Sequence, residues 1–434
     1  MRVNAEQAVF LELPPEAAFL SLAVSAAETA GKAWDLGPGR TPRLALAVEE
    51  FFEYLRGNIP PGDTLKLSLR RRGPALRAEF RFRARSLDLR ALNFAAGVAP
   101  EDGREMGLLL AARFTDRCRL ERPGGDSFVL SAEVDRDYPQ AEPLTQHPRL
   151  QPPYAPLDQP SGDALRHAAM LAAGRYPARL CPHGFFEPGR LLDMVAAGLY
   201  EVLVLADKAG RPAGIMLWRS PAGSLSVFFS GPYVLDEARD PAIARALTEG
   251  FLARVARTPA ICAVSERPTG DLPAEFFEPL GSVGCTQGGE RVEQQAFYRS
   301  LREDEGASVW AHPDLEPFLR REYERLAFVR EILPVEADGG QPHSLLATDL
   351  DLRRGMAVLR PLLDGRDLAA NLARHVEALG REGAPDIFLH LDLGQAWQAA
   401  MSPALLAAGF TPRLLLPHGA TSDMVVFEHG DAAH

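Results

Sequence analysis

Eight arginines fall within the 21 residues from Arg70 to Arg90, at Arg70, Arg71, Arg72, Arg77, Arg81, Arg83, Arg85 and Arg90. Guanidinium groups at this density pair with carboxylates and phosphates. One chemistry is therefore an anionic docking face for a protein partner, a phosphate or the acidic C-terminal half of the chain. The other is protective, since charge along an exposed sheet blocks edge-to-edge aggregation. Signatures of nucleophilic and metal catalysis are missing: the sequence has neither a Gly-x-Ser-x-Gly elbow nor a Walker loop. His167, His183, His312, His343, His375, His390 and His418 show no HxxxH or HExxH spacing, so no metal centre is expected. Cys118, Cys181, Cys262 and Cys285 lie far apart without a CxxC pair, which argues against a disulfide framework or structural zinc. His390, Leu391 and Asp392 end an apolar run before a helical pattern, a position where α/β layers place site residues.

The elements that must position these groups follow from periodicity and punctuation. Ala8–Pro14 reads as a strand and Glu16–Ala33 as a helix stopped by Gly37, Pro38 and Gly39. Thr41 and Pro42 read as the N-cap and first turn of a second helix. Leu44, Val48, Phe51 and Leu55 fall on one face of it. Thr64–Arg70 and Ala75–Ala84 alternate as strands, with Arg77, Arg81, Arg83 and Arg85 on one side of the second. A helix at Arg104–Asp116 precedes a hairpin of Cys118–Glu121 and Ser127–Val134. Seven prolines in the 26 residues Tyr138–Asp163 predict an extended, semi-rigid spacer. Beyond it, helices are expected at Ala164–Gly174, Pro188–Ala197 and Asp240–Ala256. Strands are expected at Glu201–Ala206, Ala213–Trp218, Leu225–Tyr233 and Ala260–Ser265, and a short helix at Leu272–Leu280 before a glycine-rich segment. Strands at His343–Ala347, Ala357–Arg360, Asp386–Leu391, Arg413–Leu416 and Met424–Glu428 complete the reading, with helices at Arg366–Leu379 and Gln395–Ala408. A faint echo of element order between 201–300 and 366–428 suggests an old duplication.

The chain has 434 residues, 46% hydrophobic and 24% charged, which is globular composition with room for several domains. Its net charge of −11 does not suit a nucleic-acid or anionic-membrane binder. Residues 1–137 are neutral, with 20 basic and 20 acidic side chains, so the whole excess falls in 138–434. No apolar run approaches the ~18 residues of a spanning helix. The N-terminus lacks a secretory pattern, and a cytoplasmic location is expected.

The first 137 residues resemble the anti-sigma-factor type of GHKL, or Bergerat-fold, ATPase. The order strand, helix, helix, strand, strand, helix, hairpin matches, and RLALAVEEFFEYLRGN is similar to the N-box helix of that family. The resemblance places Glu49 at the glutamate position and Glu53 where the family carries a magnesium-binding asparagine. A carboxylate can hold a hard cation, but Glu50 and Glu53 add negative charge beside a triphosphate. Phe82 stands for the adenine-reading aspartate and Ala84 for a glycine, while Asp88 matches the end of that box. Gly107 and Leu108 match the third box, with Glu105 replacing its first glycine. Without those glycines and that aspartate, the resemblance implies the fold rather than ATP and magnesium binding.

Residues 165–300 resemble a GNAT-type acetyltransferase. EVLVLADKAGRPAGIMLWR is similar to its central hairpin, SLSVFFSGPYV to its splayed strand, and DPAIARALTEGFLARV to the helix that follows. The resemblance implies acetyl-CoA as ligand, with Gly231 and Tyr233 where the pantetheine arm binds and Arg239 in the pyrophosphate loop. That loop reads LDEARDPAIA, without glycine and with Asp236, Glu237 and Asp240, which oppose a pyrophosphate. Tyr298 stands where the family often carries a tyrosine general acid, although a tyrosine beside Phe297 also suits a packed core.

The fold class implied is α/β and α+β multidomain: a Bergerat-like α/β sandwich followed by one or two GNAT-like mixed α/β domains. The expected division is 1–137, a Pro-rich linker 138–163, 164–300 and 301–434. The whole resembles bacterial proteins in which an anti-sigma regulatory factor is fused to an acetyltransferase. The function expected is a regulatory or scaffold protein that binds a protein partner and an acyl-CoA-type ligand, catalytically degenerate in both halves. The alternatives are an acetyl-CoA-dependent N-acyltransferase and an anti-sigma-type serine kinase.

Overall fold

The computed structural model describes residues 8–60, 62–84, 87–97, 103–124, 126–336 and 341–430, so Arg85 lies outside the described residues. The protein is mixed α/β and divides into two compact units. The first unit comprises Met1–Asp137, Gly339–Leu350 and Val358–Glu382; the second comprises Tyr138–Asp338, Asp351–Ala357 and Gly383–His434. The chain thus leaves the first unit and returns to it late.

In chain order the elements are β1 (Ala8–Leu13), α1 (Leu20–Ala33), α2 (Thr41–Arg56), β2 (Leu65–Arg72), β3 (Ala75–Arg83), α3 (Gly103–Phe114), β4 (Arg117–Gly124) and β5 (Ser127–Asp135). There follow β6 (Ala155–Pro156), α4 (Gly162–Arg175), α5 (Pro188–Ala196), β7 (Glu201–Ala206), β8 (Pro212–Arg219), β9 (Ser226–Val234), α6 (Pro241–Val255) and β10 (Cys262–Pro268). Next come β11 (Glu278–Gln287), β12 (Glu290–Ser300), β13 (Ala307–Ala311), α7 (Glu316–Leu326) and β14 (Arg330–Pro334). The chain ends with β15 (Leu345–Asp351), β16 (Met356–Leu363), α8 (Leu368–Arg381), β17 (Asp386–Asp392), α9 (Ala396–Ala399), α10 (Ser402–Ala407), β18 (Phe410–Leu416) and β19 (Met424–His429).

The first unit is an antiparallel sheet, β1-β2-β3-β5-β4, with helices on one face. Alternation dictates which side chains go inward. Leu65, Leu67 and Leu69 of β2 share the core with Phe80 and Phe82 of β3 and with Phe128, Leu130 and Val134 of β5. The predicted face of α2, Leu44, Val48, Phe51 and Leu55, closes over them, with no exposure at any of the four. Phe51 meets Phe80 edge-on at 6.3 Å, and Phe82 stacks on its register partner Phe128 at 5.9 Å. Each such ring contributes roughly 1.5–3 kcal/mol by burial. Leu345 and Leu363 of the returning segment join this core. The start of α2 differs from expectation. Arg40 is the N-cap, while Thr41 is buried and turns its hydroxyl to the Gly37 carbonyl at 2.9 Å.

The second unit is built on a seven-stranded sheet, β11-β12-β10-β9-β8-β7-β6. Within it β9 and β10 run parallel and the other pairings are antiparallel. α4 and α5 cover one face and α6 the other. The proline-rich stretch runs extended and lies against this unit, with Ala141 bonded to Phe186, Leu144 to Met170, and Leu150 in the core. The expected helix at Leu272–Leu280 reduces to a single 3-10 turn, Ala274–Phe276, and the glycine-rich segment is the β11–β12 hairpin turned at Gly288 and Gly289. Both glycines have positive φ, which the turn requires. The helix expected at Gln395–Ala408 is two short ones, α9 and α10. β18, β19 and β17 form an antiparallel set late in the chain.

Candidate functional site

The centre of the second unit is the middle of its sheet, where β9 meets β10. The strand expected over Leu225–Tyr233 is β9, which runs through Gly231 and Pro232 to Val234. Gly231 has φ +105°, and β8 and β9 slip by one residue between Ile215 and Leu217. One extra residue reverses which face later side chains take. Val227 and Phe229 point to the α6 core, whereas Tyr233 points to the α4/α5 core. A β-carbon at Gly231 would press on the Tyr233 ring at 2.9 Å, so glycine is required there twice over.

Tyr233 is wholly buried, edge-on to Tyr176 and Phe185 at 5.2 and 4.9 Å, and donates its hydroxyl proton to the Leu180 carbonyl at 2.5 Å. Burial pushes its pKa well above the usual phenol value. The parallel ladder with β10 continues from Ser226↔Cys262 to Gly231↔Pro268, so these strands stay paired rather than parting. The strand end is occupied by the chain itself. The Val234 N–H donates to the Tyr176 hydroxyl at 2.7 Å, which donates onward to Asp271 at 2.5 Å. Arg175 donates to the carbonyls of Val234 and Asp236 at 2.9 and 2.5 Å.

The loop before α6 is closed in the same way. Asp240 caps the helix by accepting from the Ala242 N–H at 2.9 Å. Asp236 accepts from the Leu150 N–H at 2.9 Å, and the Glu237 N–H bonds to the Pro148 carbonyl. Arg239 is exposed, with φ +55°, and its guanidinium lies 6.0 Å from the centre of the Tyr176 ring.

Tyr298 is 3% exposed; its ring packs on Phe328 at 5.7 Å and its hydroxyl donates to Glu278 at 2.9 Å. Burial and Glu278 raise its pKa. Tyr298 is the register partner of Val264, whereas Gly231 pairs with Pro268. Four residues of strand, roughly 13 Å, separate the two positions along β10. The structure brings Gly231, Tyr233 and Arg239 around Tyr176 and leaves Tyr298 elsewhere.

In the first unit, Glu49 is exposed on α2, and Glu53 pairs with Arg56 at 3.0 Å. Glu50 lies against Gly107 of α3, where a β-carbon would collide with its carboxylate. Burial, then Glu49 and Glu53, raise the Glu50 pKa. Asp88 is exposed, and its backbone is held by Tyr54. Arg90 bonds Glu105 at 2.7 Å and lies 3.5 Å from Asp88. Glu50 of α2 therefore meets Gly107 of α3, while Asp88 is held at Tyr54, one helical turn further along α2.

Arg77, Arg81 and Arg83 share the face of β3 opposite Phe80 and Phe82 and differ in burial along the strand. Arg77 is buried and bonds its register partner Glu133 at 2.6 Å; Arg117 bonds Glu133 at 2.7 Å and also Asp135. Arg81 is exposed and bonds Glu79 at 2.8 Å, while Arg83 is exposed. Asp392, after His390, accepts from Gly394 and Thr421 and so holds a turn.

Sequence reasoning missed Tyr176 and Arg175, which look like an ordinary helix end, and a network around Arg330. The Arg330 side chain is fully buried and bonds Asp423 at 2.7 Å and Asp304 at 2.8 Å, with His418 Nε2 2.9 Å from Asp304. No sequence pattern joins these distant positions. Among the described residues, no helix is long and apolar enough to cross a membrane.

No family model matches the chain, and no curated protein matches it in sequence. Among solved structures, the chain is similar to a GNAT superfamily phosphinothricin acetyltransferase from Sinorhizobium meliloti, solved in complex with acetyl-CoA. That match has 17% identity over 35% of this chain and 90% of the other, with a TM-score of 0.29. A GNAT-family acetyltransferase from Staphylococcus aureus Mu50 is similar at 7% identity over 35% of this chain and 99% of its own, with a TM-score of 0.25.

Proposed function

We propose that this is a regulatory binding protein, with a first unit that docks a protein partner and a second, GNAT-like unit that holds a ligand without transferring an acyl group. The observation that carries the reading is the closed end of β9. An acyl-CoA arm needs free backbone donors and acceptors there and an open helix N-terminus for its pyrophosphate. Tyr176 and Arg175 take the former, and Asp240 takes the latter. In the first unit, Met106, Leu110 and Phe114 lie four residues apart on α3, 39%, 36% and 42% exposed, an apolar stripe suited to a partner.

Thermal unfolding with acetyl-CoA, CoA, ATP–magnesium and ADP tests the reading. A ligand at 100 times its Kd stabilises by about 2.7 kcal/mol, and no shift is expected from any of the four. A shift with acetyl-CoA, accompanied by acyl transfer, overturns it. It would favour the second reading, an N-acyltransferase with Tyr298 as acid. The Gly231 irregularity in β9 favours that reading, because a bulge is where such folds receive the arm. A shift with ATP–magnesium would restore a nucleotide site in the first unit.

A further inference from the structure

On the α4/α5 face of the second unit, arginine and carboxylate side chains from three separate stretches of chain gather into one charged cluster. Arg219 ends β8, Glu266 and Arg267 lie where β10 slips in register against β9, and Arg354 comes from the Asp351–Ala357 excursion of the same unit. Glu266 is the hub. Arg219 donates to both of its oxygens, at 3.2 and 3.3 Å, and Arg267 lies 3.0 Å away. Arg354 bonds the Cys181 carbonyl at 3.0 Å and pairs with Asp351 at 3.2 Å. The Arg267 and Arg354 side chains are only 14% and 10% exposed, whereas Arg219 is 36% exposed and marks the solvent side.

Three guanidiniums therefore face two carboxylates. Burying positive charge that lacks a counter-charge is costly. The carboxylates do not serve the three cations equally: Glu266 raises Arg219 and Arg267 despite their burial, whereas Arg354 is lowered. Burial opposes ionisation of Glu266, yet Arg219 and Arg267 hold its carboxyl far below the usual range. Burial and then Arg267 depress Arg354, because Asp351 and Glu266 do not fully offset them.

We propose that this cluster binds an oxyanion, a carboxylate or phosphate group of a small ligand, between Arg219, Arg267 and Arg354. The planar fork of arginine matches either group in two-point fashion. Glu266 then acts as the placeholder that the ligand competes with. The inference deepens the reading of the second unit as a ligand-binding module and supplies the chemical class of its ligand.

The test is titration of the full chain with sodium acetate and with inorganic phosphate at constant ionic strength balanced by chloride, read by calorimetry and thermal midpoint. Saturable binding of at least one oxyanion is expected, and which one binds decides between a carboxylate and a phosphate source. Arg354→Gln should weaken it tenfold or more. Glu266→Gln should enlarge the oxyanion-dependent midpoint shift, since three arginines then lack their shared partner. If Arg354→Gln fails to fold, Arg219→Gln at the open side should give a similar loss. No saturable binding to the natural chain, or unchanged binding in the folded arginine variant, overturns the proposal. Acetyl-CoA binding that survives Arg354→Gln would sink the non-catalytic reading and leave the oxyanion site untouched.

Discussion

The hydroxyl of Tyr54 holds both backbone groups of Asp88: it accepts the Asp88 N–H at 2.9 Å and donates to the Asp88 carbonyl at 2.6 Å. One side chain of α2 thus anchors the segment that follows β3, where strand pairing has ended and the backbone needs other partners. Burial pushes the Tyr54 pKa up to about 12, so it stays a donor at any ordinary pH.

Tyr54→Phe removes both bonds and keeps the ring. The expected loss is about 1–2 kcal/mol, the usual worth of two hydrogen bonds with a partly exposed partner. Urea unfolding followed by circular dichroism measures it. A change within a few tenths of a kcal/mol would show that water replaces Tyr54 without cost.

Glu133 is the buried counter-charge of Arg77 and Arg117. Burial alone would raise its pKa, but Arg117 and Arg77 bring it down to about 2. The folded pKa is therefore below the unfolded value, so its stabilisation is present above about pH 4.5 and fades as pH falls toward 2. Glu133→Gln takes from Arg77 its hydrogen-bonded carboxylate, leaves Arg117 with Asp135 alone, and should cost about 3–5 kcal/mol at neutral pH. It should also flatten the acid limb of the stability curve. Equal acid sensitivity in the variant and the natural chain would contradict the pairing.

His375 on α8 is fully buried, with Nδ1 2.9 Å from the Asn371 carbonyl and no hydrogen-bond partner for Nε2 among the described residues. Burial pushes its pKa down to about 4. The unfolded chain takes up this proton near pH 6.5 and the folded chain only near 4, so stability declines as pH falls through that window. The decline is on the order of 3 kcal/mol. His375→Leu should remove that part of the slope, and comparison of unfolding midpoints at pH 7 and pH 4.5 decides it. Parallel profiles would mean that the imidazole is hydrated.

Tyr176→Phe leaves the Val234 N–H and Asp271 without the hydroxyl that joins them. The cost should be about 1–3 kcal/mol, as for a buried group left unsatisfied. Hydrogen exchange at the Val234 amide is the direct readout, and protection should fall in the variant. Unchanged protection would mean that the strand end is covered by something other than Tyr176.

Elements whose own residues carry the pattern were legible from sequence. The α2 face at Leu44, Val48, Phe51 and Leu55 and the strands Glu201–Ala206 and Pro212–Arg219 needed no distant information. The β11–β12 hairpin was not legible, because Gly281, Gly284, Gly288 and Gly289 read as loop. Tertiary contacts make it a strand pair: the Gly284 N–H donates to Glu428 at 2.9 Å, and Leu414 lies where a β-carbon of Gly281 would go. α7 was missed because charge dominates its sequence, EPFLRREYERL. At the site, Gly231 announced an irregular backbone, but the faces swapped by its bulge and the closure by Tyr176 depend on residues far apart in sequence. Arg354 reaches Cys181 only through folding.

The late return of the chain to its first unit sets a timetable. Leu345, Leu363 and Asn371 belong to that unit, and Asn93 is satisfied by Ser344 and Leu346 at 2.9 and 3.0 Å. During synthesis, residues up to Asp137 leave the ribosome on the order of 200 residues before the segment that completes them, roughly 10–40 s at ordinary elongation rates. The nascent first unit waits without its two late stretches while the second begins to fold. A chain truncated after Asp137 would strand Asn93 without these partners and leave its core short of two leucines.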